Sequence, residues 1–530
     1  MMRRFLLLFL TMFFCCGQLF AGWQENVSAL LDRGFNDIAT ASCREMSVSP
    51  DEICKAVKEI KDSSLLLDFL QRREFKPAAK RGELNLFNLA GKDGVSRPWV
   101  LYVPENYYHK RPTALLVALH GGVSRTTISE DPLGWAKESE WLQLARQNGC
   151  FALFPFGQEK ATWWDETGMD NIRRQLHLVK HHYNIDDNRV YLVGFSDGAS
   201  AGFLHAMIRP DNFAAVIALN GHMGVGSLDG GLPTYAPNMA QTPVYAVTTD
   251  KDGLYPTSMM APTISMAIKS GADIFYRQLA GEHEFSYAAK ELPRIGRFID
   301  QHPRNCMPGK IFWETALPEF GRCRWLSIES ILPEPAAEWH GDHNLAMVSD
   351  RVSIGFMPKK AENGIGVRNV TDGSYASTAG MKADDVIIRA AGREIRTLAD
   401  LDEVKAKLCR GDYLETTVRR ASETIELKGY LPAPELYFLF KREVPSAAVK
   451  AVQIGNRFFL TGSRAGRLRL LLQKDQLNFA NPVEVFYNDR QVYSGLVVPD
   501  SGLILSEYLQ NRDREMLAVA AIDLDLRREK

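Results

Sequence analysis

The residues best able to do chemistry sit in Gly194-Phe195-Ser196-Asp197-Gly198, which follows the apolar run Val190-Tyr191-Leu192-Val193 and precedes Ala199-Ser200-Ala201-Gly202. The apolar run predicts a buried strand, and the small residues after Ser196 predict the first turns of a closely packed helix. Gly194 and Gly198 let the backbone turn sharply between the two, which would hold the Ser196 Oγ out at the strand end as a nucleophile. The bland alternative is an ordinary strand-to-helix turn with a serine cap. A serine nucleophile needs a base, a carboxylate to orient that base, and donors for an oxyanion.

Asp250 and Asp252, in Thr248-Thr249-Asp250-Lys251-Asp252-Gly253, follow a predicted strand at Val244–Val247. His283, in Gly281-Glu282-His283-Glu284-Phe285, follows one at Asp273–Gln278. Singly, a loop aspartate is usually a solvated turn residue and a loop histidine rarely a base. The order Ser, Asp, His, with both partners just past strand ends, points to a triad in the chain order of the α/β-hydrolases. Leu119-His120-Gly121-Gly122 ends the strand Ala114–Leu119, so the amides of Gly122 (with Gly121 as an alternative) and of Asp197 are the expected oxyanion donors. A loop needing positive φ would account for the same glycines. Trp163-Trp164-Asp165, after the strand Phe151–Phe154, are expected either as an exposed aromatic wall for substrate or as packing against the sheet edge.

Several elements must position these residues. Strands at Gly82–Leu89, Pro98–Val103, Ala114–Leu119, Phe151–Phe154, Val190–Val193, Ala215–Leu219, Val244–Val247 and Asp273–Gln278 are punctuated by helices at Trp135–Gln147, Asp170–His182, Pro262–Ser270 and Tyr287–Gln301. Apolar strands alternating with amphipathic helices predict a mainly parallel sheet covered on both faces, with reactive groups at the carboxyl ends of the strands.

The 530-residue chain is long enough for several domains, and its net charge of −1 gives no basic excess for nucleic acid. Arg3-Arg4, the apolar run Phe5–Cys16 and Gly17–Ala21 read as a secretory signal over residues 1–21, too short to span a bilayer; a lipid anchor at Cys15 or Cys16 is the alternative. In an exported protein Cys43 could pair with Cys54, and Cys306 with Cys323, or they could stay reduced. Residues 22–80 are expected to form a helical hairpin docked on the next domain, its second helix starting at Ser49-Pro50-Asp51. His181-His182 are expected at the surface of a helix end. Trp339-His340-Gly341-Asp342-His343 lacks the further spaced ligands a metal site needs, and neither metal nor cofactor is expected.

Residues 81–302 resemble the secreted esterase branch of the α/β-hydrolases that includes polyhydroxybutyrate depolymerases and feruloyl or acetylxylan esterases. The resemblance is carried by Leu119-His120-Gly121-Gly122, by Asn184-Ile185-Asp186-Asp187-Asn188-Arg189-Val190-Tyr191 leading into the Ser196 turn, and by Asp252 four residues before Pro256. It implies Ser196, Asp252 and His283 as the triad, favouring Asp252 over Asp250, and it implies a small-molecule or polymeric ester as substrate. The branch has Gly-x-Gly-His where this chain has Gly281-Glu282-His283-Glu284, and nearby glutamates would raise the histidine's pKa.

After about His302 the alternation stops. Gly373-Ser374-Tyr375-Ala376-Ser377-Thr378-Ala379-Gly380-Met381-Lys382-Ala383-Asp384-Asp385-Val386-Ile387 resembles the signature of a PDZ domain of the bacterial processing-protease type, with Ala383 where glycine is common. That resemblance covers residues 345–431 and implies an α+β unit that binds a protein C-terminal peptide at Ile354-Gly355-Phe356. Residues 432–530 are strand-rich and expected as a β-sandwich-like module. Lys310–Thr315 and Arg324–Glu329, within 303–344, read as a hairpin that joins this module across the inserted PDZ unit. The fold expected is therefore multidomain: α/β-hydrolase, PDZ and β-sandwich. The function expected is an exported serine esterase with a peptide-binding module; a prolyl-oligopeptidase-like peptidase and a non-catalytic PDZ scaffold are the rivals.

Overall fold

The computed structural model describes residues 22–33, 35, 38, 48–125, 130–349 and 352–528. Residues 1–21, read above as a secretory signal and including Cys15 and Cys16, lie outside the described residues, as does Cys43. The chain divides into two compact units, residues 344–439 and the remainder.

In the larger unit an eight-stranded sheet forms from β1 (Leu84–Ala90), β2 (Ser96–Tyr102), β3 (Thr113–Leu119), β4 (Phe151–Pro155), β5 (Ile185–Phe195), β6 (Ala215–Leu219), β7 (Val244–Thr249) and β8 (Ile274–Leu279), in the order β1-β2-β4-β3-β5-β6-β7-β8. β1 and β2 are antiparallel to their neighbours, and β4 through β8 pair in parallel. The central strands are buried along their whole length because helices cover both faces, which is why they read as unbroken apolar runs. The single helix expected over Trp135–Gln147 is two, Pro132–Glu138 and Glu140–Asn148, broken at Ser139, whose extended backbone and side chain cap the second.

The sandwich is built from both flanks of the inserted unit. Lys310–Thr315 pairs with Ala447–Ile454 in a five-stranded sheet, and Leu326–Ile331 pairs with Ala465–Gln473 in a four-stranded one. The two runs expected to form a hairpin therefore pair not with each other but with strands of different sheets. Between the sheets lie Trp313, Trp325, Phe458, Leu470 and Val485, with the Trp325 ring set edge-on to Phe458.

The N-terminal segment holds helices at 22–32 and Pro50–Val57, and beyond the two expected a third, Ser63–Gln71. Its apolar side does not build its core on the α/β domain alone: Trp23, Val27, Leu66 and Leu70 pack with Ile504, Leu505 and Tyr508 of a helix, Ser501–Asn511, in the strand-rich C-terminal region. His181, expected at the surface, is buried beneath this layer, stacked on Phe35 and hydrogen-bonded to Arg73. Burial lowers its pKa to about 4, against the pull of Asp32. Arg304 donates two hydrogen bonds to Asp513, and Arg514 reaches Asp187, Asn184 and the Ile185 carbonyl, so the C-terminal region is tied to β5 by buried charge. Cys306 and Cys323 are both buried and not joined in a disulfide. His340 spends its ring on Glu314 and Ser463. Among the described residues no cluster could hold a metal ion, and no helix is long and apolar enough to cross a membrane.

The smaller unit holds a six-stranded sheet, in the order Phe356–Ala361, Gly364–Val370, Val386–Ala390, Tyr413–Arg420, Glu423–Tyr430, with the short Arg393–Glu394 paired to Val386–Ala390 off this path, around a core that includes Ile365, Val367, Tyr375, Ile387 and Val418. Its entry strand Leu345–Ser349 pairs antiparallel with its exit strand Glu435–Leu439, which carries the unit past residue 431.

Candidate active site

β5 ends at Phe195 and the helix Asp197–Ile208 begins two residues later. Ser196 between them has φ 57° and ψ −122°, a region that non-glycine residues seldom occupy and that the surrounding fold must enforce. Two glycines make the turn sterically feasible. A Cβ on Gly194 would lie 2.2 Å from the Gly198 carbonyl carbon, and one on Gly198 would lie 2.1 Å from the Leu119 oxygen.

The Ser196 Oγ lies 2.9 Å from His283 Nε2, and His283 Nδ1 lies 2.8 Å from Asp252 Oδ2. A carboxylate only accepts, so the neutral ring carries its proton on Nδ1 and leaves Nε2 to accept from the serine hydroxyl. The second Asp252 oxygen accepts the amides of Leu254 and Tyr255 at 2.7 Å each. Burial would raise the Asp252 carboxyl, but these amides, His283 and Asn220 outweigh it and hold the group below the ordinary carboxylate range. Asp250 is exposed and accepts the Gly281 amide at 2.9 Å, which anchors the histidine loop without touching the imidazole. Glu282 and Glu284 are exposed as well.

Two supports escaped the sequence reading. Asn220, the residue after β6, donates to Asp252 Oδ2 at 2.8 Å, and its carbonyl oxygen accepts from the Tyr287 hydroxyl. The signal that could have found it is position: Asn220 follows its strand as Asp250 and Asp252 follow theirs. The other support is His120. Its Nδ1–H donates to the Gly121 carbonyl at 2.8 Å, while Nε2 accepts the Gly157 amide at 3.0 Å. Because a trans peptide sets C=O and N–H on opposite sides, holding the Gly121 carbonyl on the His120 ring turns the Gly122 N–H the other way. The Asp197 carboxylate accepts the Val123 amide at 2.9 Å and so ties this loop to the start of the serine helix.

Trp163 and Trp164 correct the expectation of an exposed wall. Trp163 has no exposed surface and donates through Nε1 to the His120 carbonyl at 2.9 Å, and Trp164 is also buried. Their place after β4 is the expected one, but the Trp163 indole is packed against the glycine loop rather than open to substrate.

In the smaller unit Ile354 is buried in the core, Gly355 has φ 85°, and Phe356 opens the edge strand. The Ile354 carbonyl accepts from the Ala376 amide and the Gly355 carbonyl from the Thr371 amide, so the Gly355 and Phe356 N–H groups face the opposite side.

Residues 352–428 match the family model of the PDZ domain. A bifunctional acetylxylan esterase/xylanase of Neocallimastix patriciarum is 32% identical over 130 residues, 24% of this chain and 18% of that protein. Acetylxylan esterase A of Emericella nidulans is 27% identical over 172 residues, 30% of this chain and 51% of that protein. The chain thus spans from about a fifth to about half of the length of these two curated relatives. Among solved structures, a thermostable esterase is 21% identical with a TM-score of 0.34, covering 42% of this chain and 63% of that one. A ferulic acid esterase is 12% identical with a TM-score of 0.36, covering 42% of this chain and 99% of that one.

Proposed function

We propose that the α/β domain is a serine hydrolase that cleaves a carboxylic ester through an acyl-enzyme, and that the chain is exported. The observation that carries the reading is the unbroken hydrogen-bonded series Ser196 Oγ, His283 and Asp252. In the proposed mechanism Ser196 Oγ attacks the ester carbonyl and passes its proton to His283 Nε2, while Asp252 steadies the imidazolium. The Gly122 and Asp197 amides take the oxyanion; a single such donor contributes roughly 3 to 4 kcal/mol to the transition state. His283 then returns the proton to the departing alcohol. A water activated by the same imidazole frees the acid and restores Ser196. The similarity to acetylxylan esterases supports ester over amide substrates. For the smaller unit the amides of Gly355 and Phe356, turned away from the bonded carbonyls, and the edge strand that follows them support capture of a protein's C-terminal carboxylate.

The test compares wild type with Ser196→Ala on p-nitrophenyl acetate and acetylated xylan, alongside labelling by a fluorophosphonate. Wild type should turn over and take the label; the variant should do neither while keeping its melting temperature. A wild type without turnover or label, or a variant with more than a small residual rate, overturns the reading.

A further inference from the structure

His222 lies three residues after β6, on the loop that also carries Asn220. Its backbone amide donates to Ser200 Oγ at 2.9 Å, and that hydroxyl in turn donates to the Ser196 carbonyl. Its ring lies 5.6 Å from the ring of Tyr255, which in turn lies 5.8 Å from the ring of His283. The imidazole therefore sits on the wall between the serine turn and the Asp252 loop, on the opposite side of Ser196 in strand order from the His120 loop.

The state of the ring is fixed by its own loop. Nδ1 accepts the Gly224 amide at 3.0 Å, so the neutral ring carries its proton on Nε2. Burial lowers its pKa to about 4, so it stays neutral at ordinary pH. No described residue accepts from that Nε2–H, and Nε2 is not among the enclosed polar atoms lacking a partner, so the donor opens outward. A ring anchored at its amide and at Nδ1, yet keeping its one donor unspent on a loop bonded to the serine helix and next to Tyr255, has the form of a preorganised substrate contact.

We propose that His222 is a specificity-determining residue whose Nε2–H binds an oxygen of the substrate other than those of the ester being cleaved, a hydroxyl or carbonyl oxygen about three bonds from it. Tyr255 supplies the apolar face beside that oxygen. The inference rests on the esterase reading above. A site built around such a donor discriminates against the analogue lacking the oxygen, because the donor is then left unpaired.

The test uses two ester pairs that each differ by one hydroxyl: ethyl acetate with 2-hydroxyethyl acetate, for the alcohol side, and ethyl butyrate with ethyl 3-hydroxybutyrate, for the acyl side. Rates are normalised to sites titrated with a fluorophosphonate, which counts folded enzyme. Wild type should prefer the hydroxylated member of one pair, which identifies the side. His222→Phe should reduce that preference about tenfold or more, chiefly through KM. His222→Gln, which keeps an N–H donor near the position of Nε2, should restore it to within about threefold. A wild type that turns over the esters without preferring a hydroxylated member, or a His222→Phe variant that slows both members of the pair equally, overturns the proposal and leaves the esterase reading standing. A wild type that neither takes the label nor cleaves any of the four overturns both.

Discussion

Asn220 donates to the same Asp252 oxygen that receives the imidazole N–H of His283. Tyr287 binds the amide oxygen of Asn220, so the amide cannot flip without losing both bonds. With Leu254 and Tyr255 on the other oxygen, four donors fix a carboxylate that has almost no contact with water. The orientation of His283 is thus inherited from β6 and the loop after β7 together.

Asp252→Asn should lower kcat by about 10⁴-fold, because an amide at this position favours the wrong imidazole tautomer. Asp250→Asn should cost less than about tenfold, since Asp250 touches only the Gly281 amide. Steady-state kinetics on one ester with both variants checks the contrast, and reversed sensitivities would transfer the role.

Asn220→Ala should lower kcat by about 10- to 100-fold with little change in KM, by leaving one oxygen of Asp252 short of a buried donor. Tyr287→Phe removes only the outer bond and should give a smaller loss in the same direction. Equal losses in the two variants would show that the amide is not held through Tyr287.

Acid should loosen the C-terminal tie. Burial alone would raise the Asp513 carboxyl, but Arg304 and Lys180 hold it far below the ordinary range. A depressed folded pKa contributes stability that is present in full above the unfolded carboxyl value of about 4 and is lost as pH falls toward the folded one. Asp513→Asn should therefore cost about 3 to 5 kcal/mol at pH 7, and the gap to wild type should narrow below about pH 4. Urea melts at both pH values read this directly.

Thiol reactivity should divide by burial. Cys54 and Cys409 are exposed and should react with Ellman's reagent in the native protein. Cys150, Cys306 and Cys323 are buried, and burial pushes the Cys150 thiol up to about 12, so all three should react only on unfolding. A Cys306–Cys323 disulfide recovered from native protein would contradict the arrangement.

The sequence revealed most where chemistry and local pattern coincide. The glycines around Ser196 and the polar residues after β7 and β8 mark positions that only a tight turn or a strand end explains. It revealed less where a residue's meaning lies in a distant partner. Apolar alternation in Lys310–Thr315 says that one face is buried but not which sheet receives it, and the nearest run in sequence is the wrong partner. His181 is buried by residues far from it in sequence, with Phe35 stacked on it and Arg73 hydrogen-bonded to it. Trp163 is hidden by a glycine loop whose carbonyl it binds. The helix Ser501–Asn511 had a readable signal in Asp500, whose side chain caps it, but strand-forming neighbours on both sides masked it.

The entry and exit strands of the inserted unit, Leu345–Ser349 and Glu435–Leu439, are zipped to each other, which changes what that unit is to its host. While it is folded, residues 344–439 act on the sandwich as a short tether between Leu326–Ile331 and Ala447–Ile454. Once it unfolds, the same residues become a long, slack loop whose closure costs on the order of 2 kcal/mol more in chain entropy. The guest therefore lends cohesion to its host through connectivity alone. A ligand that stabilises the smaller unit should raise the melting temperature of the sandwich without touching it.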